Sequence, residues 1–350
     1  MLNDHYGLTG RPFQLTPDSR FWFESATHAK AMAYLGYGLA QGEGFVVVTG
    51  EIGSGKTTLM GHLLETVDPA RVNAIRIASS QLSGEDVLRM VAAGLGLAGE
   101  AVSKGVLLDR IETALLDRAR IGQKTLIIID EAQNLPLATL EELRMLSNIQ
   151  AGEHSLVQIF MLGQPEFRER LANAPELEQL RQRVIATHHL TAMEAFEIRP
   201  YVEHRMKLVG WRGKPAFAED AWGTVHANSG GIPRRVNNLM TRILLAGAME
   251  EIETIDANLV NLVAEDMARD DAAGTDSSRI VDMNAAQAAQ TAAALEPMAL
   301  DQAARIAMLE AQVEEQAAAL RRILTLLIDW AEADSPAKVP PAQFYRAPVA

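Results

Sequence analysis

One stretch of the sequence combines glycines, a lysine and a hydroxyl residue at a spacing suited to binding phosphate. Residues Gly50 to Thr57 read Gly-Glu-Ile-Gly-Ser-Gly-Lys-Thr and match the pattern G-x-x-x-x-G-K-[ST]. Glycines let backbone N–H groups turn inward around phosphate oxygens, and the start of a following helix attracts the same anion. Lys56 would reach the β- and γ-phosphates, and the Thr57 hydroxyl would bind Mg²⁺. The residues predicted to hold ATP are Gly50, Glu51, Ile52, Gly53, Ser54, Gly55, Lys56, Thr57 and Thr58.

Two adjacent acids supply the second half of the expected chemistry. Asp130 and Glu131 directly follow Thr125–Ile129, the most strand-like run in the sequence. A buried strand that ends in carboxylates delivers them to the carboxyl edge of an α/β sheet, where such sheets bind ligands. We expect Asp130 to hold Mg²⁺ together with Thr57, and Glu131 to polarise the attacking water. Taken without the glycine-rich loop, the same two acids would suit a helix N-cap region.

The elements around these motifs predict an α/β fold. Apolar, β-branched runs alternate with amphipathic segments, which is typical of a mostly parallel sheet covered by helices on both faces. The loop from Gly50 to Thr57 follows the first predicted strand and precedes a helix, as its chemistry requires. The predicted strands are Phe45–Thr49, Val72–Ile77, Thr125–Ile129, Leu156–Leu162 and Val184–Leu190. The predicted helices include one from about His28 to Leu39 and one over Pro136–Ile149.

The remainder of the chain divides by composition. Helical patterns alone follow residue 192, and the stretch after 271 is rich in alanine, glutamine and serine. We predict an α/β core at 1–191, a small helical domain (the lid) at 192–270, a flexible linker at 271–298, a heptad helix at 299–332 and a disordered tail at 333–350. The heptad seam contains Ile306, Leu309, Val313, Gln316, Leu320, Ile323, Leu327 and Trp330. This helix could self-associate, capture a partner helix or pack back on the lid.

The composition of the chain excludes some kinds of functional site and argues against others. The sequence has no cysteine, which excludes disulfides, thiolate zinc sites and cysteine nucleophiles. The amino terminus lacks the apolar region of a signal peptide, and no apolar run approaches the ~20 residues that span a bilayer. We therefore expect a cytoplasmic protein without membrane insertion. The net charge of −13 argues against nucleic acid as a partner.

Three motifs together resemble one known family. They are Asp130-Glu131-Ala132-Gln133-Asn134-Leu135, Leu162-Gly163-Gln164-Pro165-Glu166-Phe167 and Gly231-Ile232-Pro233-Arg234-Arg235. They resemble the AAA+ ATPases of the general secretion pathway protein A group, and within it the ATPases associated with exosortase and PEP-CTERM systems. The resemblance covers roughly residues 1–268. It implies a P-loop AAA+ core with a five-stranded parallel sheet, then an all-α lid.

The resemblance also implies roles for individual residues. Gln164 matches the sensor-1 position near the γ-phosphate, and Arg234 matches the sensor-2 arginine that reaches back from the lid. Arg181 and Arg183 lie where an arginine finger would act on a neighbouring subunit, with Arg183 preferred. The structural alternatives are a polar strand terminus for Gln164, solvated arginines at 234 and 235, and a salt bridge at 181 or 183. The aromatic-rich start of the chain, which includes Tyr6 and Phe13, precedes the first predicted strand, and we call it the aromatic lead. It either lines the adenine pocket or belongs to the core.

For function, the resemblance implies an oligomeric, Mg²⁺-dependent ATPase that acts on assembly or export machinery at the bacterial envelope. It would reach the inner membrane through a protein partner of the heptad helix. The first alternative is a transposition-type ATPase that binds DNA, for which Arg205, Lys207, Arg212 and Lys214 on the lid would form the basic track. The second is a nucleotide-dependent scaffold with negligible turnover, against which Glu131 argues.

Overall fold

The computed structural model describes residues 5–78 except 15 and 17, then 82–97 and 102–270. Met1–Ala268 form one compact unit, which contains every element named below apart from the last two residues of the final helix. The predicted linker, heptad helix and tail, at 271–298, 299–332 and 333–350, lie outside the described residues and stay predictions. Among the described helices, none combines the length and apolar character needed to cross a bilayer.

Five parallel strands form the central sheet, as the sequence predicts. Their order across the sheet is β2-β3-β4-β1-β5. The bounds are β1 Phe45–Gly50, β2 Val72–Ala78, β3 Lys124–Asp130, β4 Val157–Gly163 and β5 Val184–Leu190. Their register aligns Ala78 with Asp130, Thr49 with Gly163 and Gly50 with Leu190, so the loops after β1, β3 and β4 begin at one edge of the sheet.

Helices cover both faces of the sheet and link its strands. The helices of the α/β part are α1 Ala26–Gln41, α2 Lys56–Thr66, α3 Gly84–Gly94, α4 Lys104–Arg120, α5 Leu137–Leu146, α6 Pro165–Asn173 and α7 Glu178–Arg181. Side chains from α1 and α2 share a core with one face of the sheet, including Leu35, Leu59 and Leu63. Helices α3 to α7 share a second core with the other face. Since β1, β3 and β4 are buried on both faces, their residues are almost continuously apolar.

The lid is built from helices, with one short strand pair. Its helices are α8 Ala195–Leu208, α9 Glu219–Ser229, α10 Pro233–Met249 and α11 at 257–270. Ala216–Phe217 pairs in parallel with Thr254–Ile255, a contact between short segments that no local sequence pattern predicts. The lid's hydrophobic core also contains residues from the start of the chain, namely Tyr6, Leu8, Phe13 and Phe21. The aromatic lead is therefore part of the lid's core although it precedes the α/β part in sequence.

The ends of two helices, α5 and α1, differ from the predicted ends. The predicted helix Pro136–Ile149 ends as α5 at Leu146, because the chain then turns into a hairpin of Gln150–Ala151 and His154–Ser155. The left-handed Gly152, with φ of 63°, lies in the loop of this hairpin. Helix α1 is longer than predicted because Ser25 caps its first turn by accepting from the backbone N–H of His28.

The packing of α1 on the sheet predicts opposite effects on stability for alanine substitutions at two of its glycines. A Cβ at Gly38 would lie 2.5 Å from Cγ2 of Val46 and 2.8 Å from Nε2 of Gln158, whereas nothing lies within 4 Å of a Cβ at Gly36. We expect Gly38→Ala to lower the free energy of unfolding by roughly 1–3 kcal/mol through overpacking. Gly36→Ala should raise it by up to about 1 kcal/mol, because alanine favours helix. Urea denaturation measures both, and equal effects of the two substitutions would contradict this packing.

Candidate functional site

The loop between β1 and α2 has the backbone of a phosphate cradle. Gly53 and Gly55 adopt φ values of 86° and 97°, which favour glycine strongly. Gly55 stands at the N-cap of α2 and offers no side chain to the first turn, so that turn's N–H groups remain for a ligand. A Cβ at Gly50 would lie only 2.6 Å from Oγ of Ser54. We call residues 50–57 the P-loop from here on.

Lys56 is held inside this loop. It is only 7% exposed, and its Nζ donates to the carbonyl oxygens of Gly50 at 2.6 Å and Glu51 at 3.0 Å. These carbonyls take two of the three N–H donors of an ammonium group. Burial lowers the pKa of Lys56, while the nearby carboxylates of Glu131 and Asp130 act to raise it. A bound phosphate would add the negative charge that favours the ammonium form.

Asp130 and Thr57 meet beside the P-loop. The hydroxyl of Thr57 donates to Oδ2 of Asp130 at 3.3 Å, and the guanidinium of Arg76 lies 3.7 Å from the same oxygen. A hydroxyl and a carboxylate oxygen are the hard ligands that Mg²⁺ prefers, and phosphate oxygens and waters commonly complete its coordination. No group of three or more potential metal-ligating His, Cys, Asp or Glu side chains occurs among the described residues. The donor set therefore fits Mg²⁺ that is bound together with a nucleotide.

Glu131 lies in a network of amide side chains. Nε2 of Gln133 donates to Oε2 of Glu131 at 2.5 Å, and Nε2 of Gln164 donates to the same oxygen at 3.3 Å. Gln133 also accepts from the backbone N–H of Gln164 at 3.0 Å, which joins the ends of β3 and β4. Glu131 has a φ of 55°, an uncommon backbone conformation for a non-glycine residue that often marks functional sites. Gln133 was not predicted as a site residue, although it stands in the Asp-Glu-Ala-Gln motif.

A cavity of about 280 Å³ joins the P-loop to the lid. Lys56, Thr57, Glu131, Gln164 and Arg234 all line it, so the structure brings these predicted residues into one site. The lining also includes aromatic residues from the lead and the lid: Phe21, Trp22, Phe23 and Tyr201.

The aromatic lead contributes to this cavity through residues other than Tyr6 and Phe13. The ring of Trp22 stacks on His62 of α2, with centroids 4.4 Å apart and 9° between the planes. Tyr6 and Phe13, in contrast, are buried in the lid's core and do not line the cavity. Core packing is therefore the role of those two residues.

The lid touches the P-loop directly at the start of α10. The backbone N–H of Arg234 donates to the carbonyl of Gly53 at 3.1 Å. A Cβ at Gly53 would lie 2.4 Å from Cβ of Arg234, so only glycine allows this approach. Pro233 stands in the first turn of α10, where its missing N–H costs nothing. The helix thus presents its N-terminus and the Arg234 side chain to the cavity.

Four consecutive residues, Ser25 to His28, form a second link between the P-loop and the lid. The ring of His28 donates from Nε2 to the carbonyl of Ser54 at 3.1 Å and accepts at Nδ1 from the hydroxyl of Ser25 at 2.6 Å. The backbone N–H of Ala26 donates to Oε1 of the buried Glu197 in α8 at 2.8 Å. We call residues 25–28 the junction.

Thr27 connects the junction to the chain segment that leads into the lid. Its hydroxyl accepts from the backbone N–H of Thr191 at 3.1 Å, and its carbonyl accepts from the ring of His188 at 3.0 Å. The sequence signal for this region is weak, because a serine shortly before a helical pattern is typical of an ordinary helix cap.

Arg181 and Arg183 lie outside the cavity. Arg181 donates to the carbonyls of Leu171 at 3.2 Å and Ala172 at 2.7 Å, and it pairs with Glu178. Arg183 donates to the carbonyl and hydroxyl of Ser147, both at 3.2 Å. Arg183 precedes β5, at the amino edge of the sheet, whereas the P-loop follows the carboxyl end of β1. Neither arginine therefore lines the cavity beside the P-loop.

The four basic lid residues do not form a continuous track. Arg205 is 8% exposed, and its guanidinium donates to the carbonyl of Pro12 at 2.8 Å and to the hydroxyl of Tyr201 at 3.0 Å. Lys207 pairs with Glu203, and Lys214 pairs with Glu253, each at 3.0 Å. Of the four, only Arg212 is exposed without an ion pair among the described contacts. This arrangement gives no support to the DNA-binding alternative.

The buried His28 predicts a pH dependence of stability. Burial lowers the pKa of its ring from 6.5 to about 4, and Glu197 and His188 are the charged or titratable groups that act on it. Between these pH values only the unfolded chain takes up the proton, so the free energy of unfolding falls as pH drops from 6.5 to about 4. The lowered pKa of His28 corresponds to a loss of roughly 3 kcal/mol in the free energy of unfolding over this pH range.

The test compares wild type with His28→Gln, which keeps a donor for Ser54 but does not titrate. We expect the acid loss of stability in urea denaturation to be smaller in His28→Gln. The exposed His154→Gln serves as the control and should behave as wild type. An identical pH profile for wild type and His28→Gln would contradict the assignment.

Comparison with known proteins agrees with this architecture. The AAA domain family matches residues 39–171. General secretion pathway protein A of Aeromonas hydrophila is 35% identical over 247 residues, which are 70% of this chain and 45% of that protein. The chain thus spans about half the length of this relative.

Solved structures show the same fold at low sequence identity. Cdc6p of Pyrobaculum aerophilum matches with a TM-score of 0.55 at 16% identity, over 69% of this chain and 68% of that one. ORC1 of Aeropyrum pernix matches with a TM-score of 0.53 at 17% identity, over 74% of this chain and 70% of that one. The P-loop, the sheet order and the sequence relationship lead to one conclusion: the chain has the AAA+ fold and is related by sequence to general secretion pathway protein A.

Proposed function

We propose that the chain binds ATP between the P-loop and the lid and hydrolyses it. The observation that carries this proposal is the position of Glu131 on the cavity wall, near the buried Lys56 and hydrogen-bonded by Gln133 and Gln164. Glu131 accepts a proton from, or orients, the attacking water. Lys56 stabilises charge on the β- and γ-phosphates, and Gln164 and Arg234 contact the γ-phosphate from the sheet and the lid.

Mg²⁺ belongs to the same proposal. Thr57 and Asp130 would hold it, and the ion would neutralise charge on the phosphates. The carboxylate of Asp130 lies 3.3 Å from the hydroxyl of Thr57, so both oxygens can bind one ion. Chelation with EDTA should accordingly abolish turnover, and added Mg²⁺ should restore it.

Two substitutions separate binding from hydrolysis. Glu131→Gln keeps the shape of the side chain but removes its charge, so ATP should still bind while turnover falls by at least ~10²-fold. Lys56→Ala removes the ammonium that pairs with phosphate and should weaken ATP binding itself. Titration calorimetry and phosphate release measure the two effects, with the exposed Glu112→Gln in α4 as the control.

Each outcome bears on a defined part of the proposal. Unchanged ATP affinity in a folded Lys56→Ala variant would contradict the assignment of residues 50–57 as the phosphate-binding loop. Wild-type turnover in Glu131→Gln would contradict the role of that carboxylate in activating water. Absence of turnover in the wild type, with ATP bound, would favour the scaffold alternative.

We further propose that the chain works as a homo-oligomer in which one subunit completes its neighbour's site. The support is the placement of Arg181 and Arg183 away from their own cavity, at a position where the family resemblance expects an arginine finger. Arg183 is the preferred candidate. Its guanidinium contacts only Ser147 among the described hydrogen bonds, whereas Arg181 has an ion pair and two carbonyl partners.

Mixing defective subunits tests catalysis between neighbours. Arg183→Ala should lower turnover by ~10³-fold or more, the lower end of the range known for arginine fingers. Mixtures with Lys56→Ala should recover activity, because each variant supplies what the other lacks. The exposed Arg212→Ala is the control and should turn over ATP as wild type. If no ratio restores activity for Arg183→Ala or for Arg181→Ala, catalysis in trans is contradicted.

The cellular role that we propose is in assembly or export at the bacterial envelope. The support is the relationship to general secretion pathway protein A, and the finer assignment to an exosortase or exopolysaccharide system rests on the sequence motifs alone. The protein would act in the cytoplasm and reach the inner membrane through a partner of the heptad helix. Purification from native cells with residues 299–332 present or deleted tests this, since only the intact chain should retain envelope partners.

A further inference from the structure

One lid residue on the wall of the nucleotide cavity carries an amide that its neighbours hold in a single orientation. Asn237 lies near the start of α10, lines the cavity and is only 7% exposed. Its Oδ1 accepts from the hydroxyl of Tyr201 at 2.7 Å. No hydrogen bond of its Nδ2 occurs among the described contacts, so this nitrogen remains a donor for a ligand in the cavity.

A buried arginine determines the orientation of that amide. Nη1 of Arg205 donates to the hydroxyl of Tyr201 at 3.0 Å. A guanidinium can only donate, so the tyrosine hydroxyl accepts from it and directs its own hydrogen to Asn237. Asn237 must then turn its oxygen to Tyr201, which leaves its nitrogen for the cavity. We call Arg205, Tyr201 and Asn237 the relay.

The aromatic lead supplies a second amide on the cavity wall, with the opposite polarity. Nε2 of Gln14 donates to Oδ2 of Asp18 at 2.9 Å. Asp18 also pairs with Arg20 at 2.7 Å, and the hydrogen bond from this arginine lowers the pKa of Asp18 to about 2. Because an ionised carboxylate only accepts, Gln14 must turn its nitrogen to Asp18. Its Oε1 therefore remains an acceptor, with no partner among the described hydrogen bonds.

The fold brings these two amides to one part of the cavity. The hydroxyl of Thr241 lies 3.2 Å from the carbonyl oxygen of Phe13 and 2.8 Å from that of Asn237. Since Gln14 follows Phe13, the aromatic lead passes α10 within about one helical turn of Asn237. Aromatic rings of the lead line the same cavity and suit the flat face of a heterocyclic base: Phe21, Trp22 and Phe23.

A donor beside an acceptor matches adenine and mismatches guanine. Adenine presents its 6-amino donor next to a ring-nitrogen acceptor, N7 on one edge and N1 on the other. Guanine has the acceptor O6 at that place, which would face the oxygen of Gln14. On the N1 edge, guanine also has an N–H where Asn237 needs an acceptor. Leaving both amides of the site unmatched is costly, so guanine should bind poorly.

From these observations we propose that Asn237 and Gln14 select adenine as the base of the bound nucleotide. Nδ2 of Asn237 donates to N1 or N7, and Oε1 of Gln14 accepts from the 6-amino group. Arg205 is a positioning residue that acts through Tyr201 without touching the base. This inference rests on the proposed function, because it places the base of the nucleotide in this cavity.

The test compares nucleoside diphosphates that differ only in the base, bound to the full chain with Mg²⁺ and followed by titration calorimetry. Diphosphates are used because they have no γ-phosphate to hydrolyse. GDP and IDP should each bind at least ~10-fold more weakly than ADP, and IDP shows that the 6-position is responsible. Either 1-deaza-ADP or 7-deaza-ADP should bind several-fold more weakly than ADP, since one of them lacks the acceptor of Asn237.

Substitutions assign this selectivity to the two amides. Asn237→Leu, which has a similar shape, should weaken ADP by ~10-fold and GDP little, and it should bind ADP and the weaker deaza analogue equally. Gln14→Met, in the partly exposed lead, should reduce the preference for ADP over IDP several-fold. Asn238→Ala is the matched control, because Asn238 adjoins Asn237 but does not line the cavity.

The positioning role of Arg205 is read from selectivity, which a general loss of stability does not change. Arg205→Met should lower the ratio of ADP affinity to GDP affinity several-fold, because the Tyr201 hydroxyl is then free to turn. Arg205→Lys keeps a donor for Tyr201 and should recover most of that ratio. Thermal unfolding identifies the variants that fold, and Gln14→Met keeps the test decisive if a variant of the relay does not.

The contrary results are defined for the base and for the nucleotide separately. Equal affinity of the wild type for ADP and GDP would overturn the inference while leaving nucleotide binding in place. So would the wild-type ratio in folded Asn237→Leu and Gln14→Met variants, or deaza analogues that both bind as ADP does. If no diphosphate and no ATP binds, the proposed function itself fails, and the selection of adenine fails with it.

Discussion

The contact between Gly53 and Arg234 is the constraint on which the nucleotide site depends. At this point the first turn of a lid helix meets the P-loop backbone so closely that a single methyl group would collide with it. The hydrogen bond from Arg234 N–H to the Gly53 carbonyl places two helix N-termini, those of α2 and α10, at one cavity. Both carry partial positive charge, and both favour a polyphosphate between them.

The junction is a second connection between the P-loop and the lid, beside the contact of Gly53 with Arg234. His28 holds the P-loop at Ser54, while Ala26 and Thr27 bind the lid and the segment that leads into it. A change in the P-loop on loss of the γ-phosphate would therefore reach the lid along two routes, one through Gly53 and one through His28. Movement of the lid relative to the sheet is the physical means by which an ATPase of this architecture could act on a partner.

Local patterns in the sequence predict which strand ends lie at the candidate site. The P-loop and Glu131 follow buried strands and Asp130 ends one, and parallel strands of similar length bring their ends to one edge whatever the rest of the chain does. The register that aligns Ala78 with Asp130 and Thr49 with Gly163 is the observed form of that expectation.

What could not be predicted depends on contacts between distant residues. Ala26 and Glu197 are 171 positions apart, and Tyr6 and Phe13 reach the core of a lid that begins almost two hundred residues later. Hydrophobic periodicity indicates that such residues are buried but not which partner buries them. The amide network of Gln133 and Gln164 has the same character, since it forms only when β3 and β4 are neighbours.

The central claim, that one nucleotide binds both the P-loop and the lid, is tested most directly by hydrogen–deuterium exchange. Peptides that cover residues 50–57, 233–238 and 219–229 should be followed with and without a non-hydrolysable ATP analogue and Mg²⁺. The account predicts slower exchange in the P-loop and at the start of α10, with no change in α9. Protection confined to the P-loop, with exchange at 233–238 unaltered by the nucleotide, would contradict it.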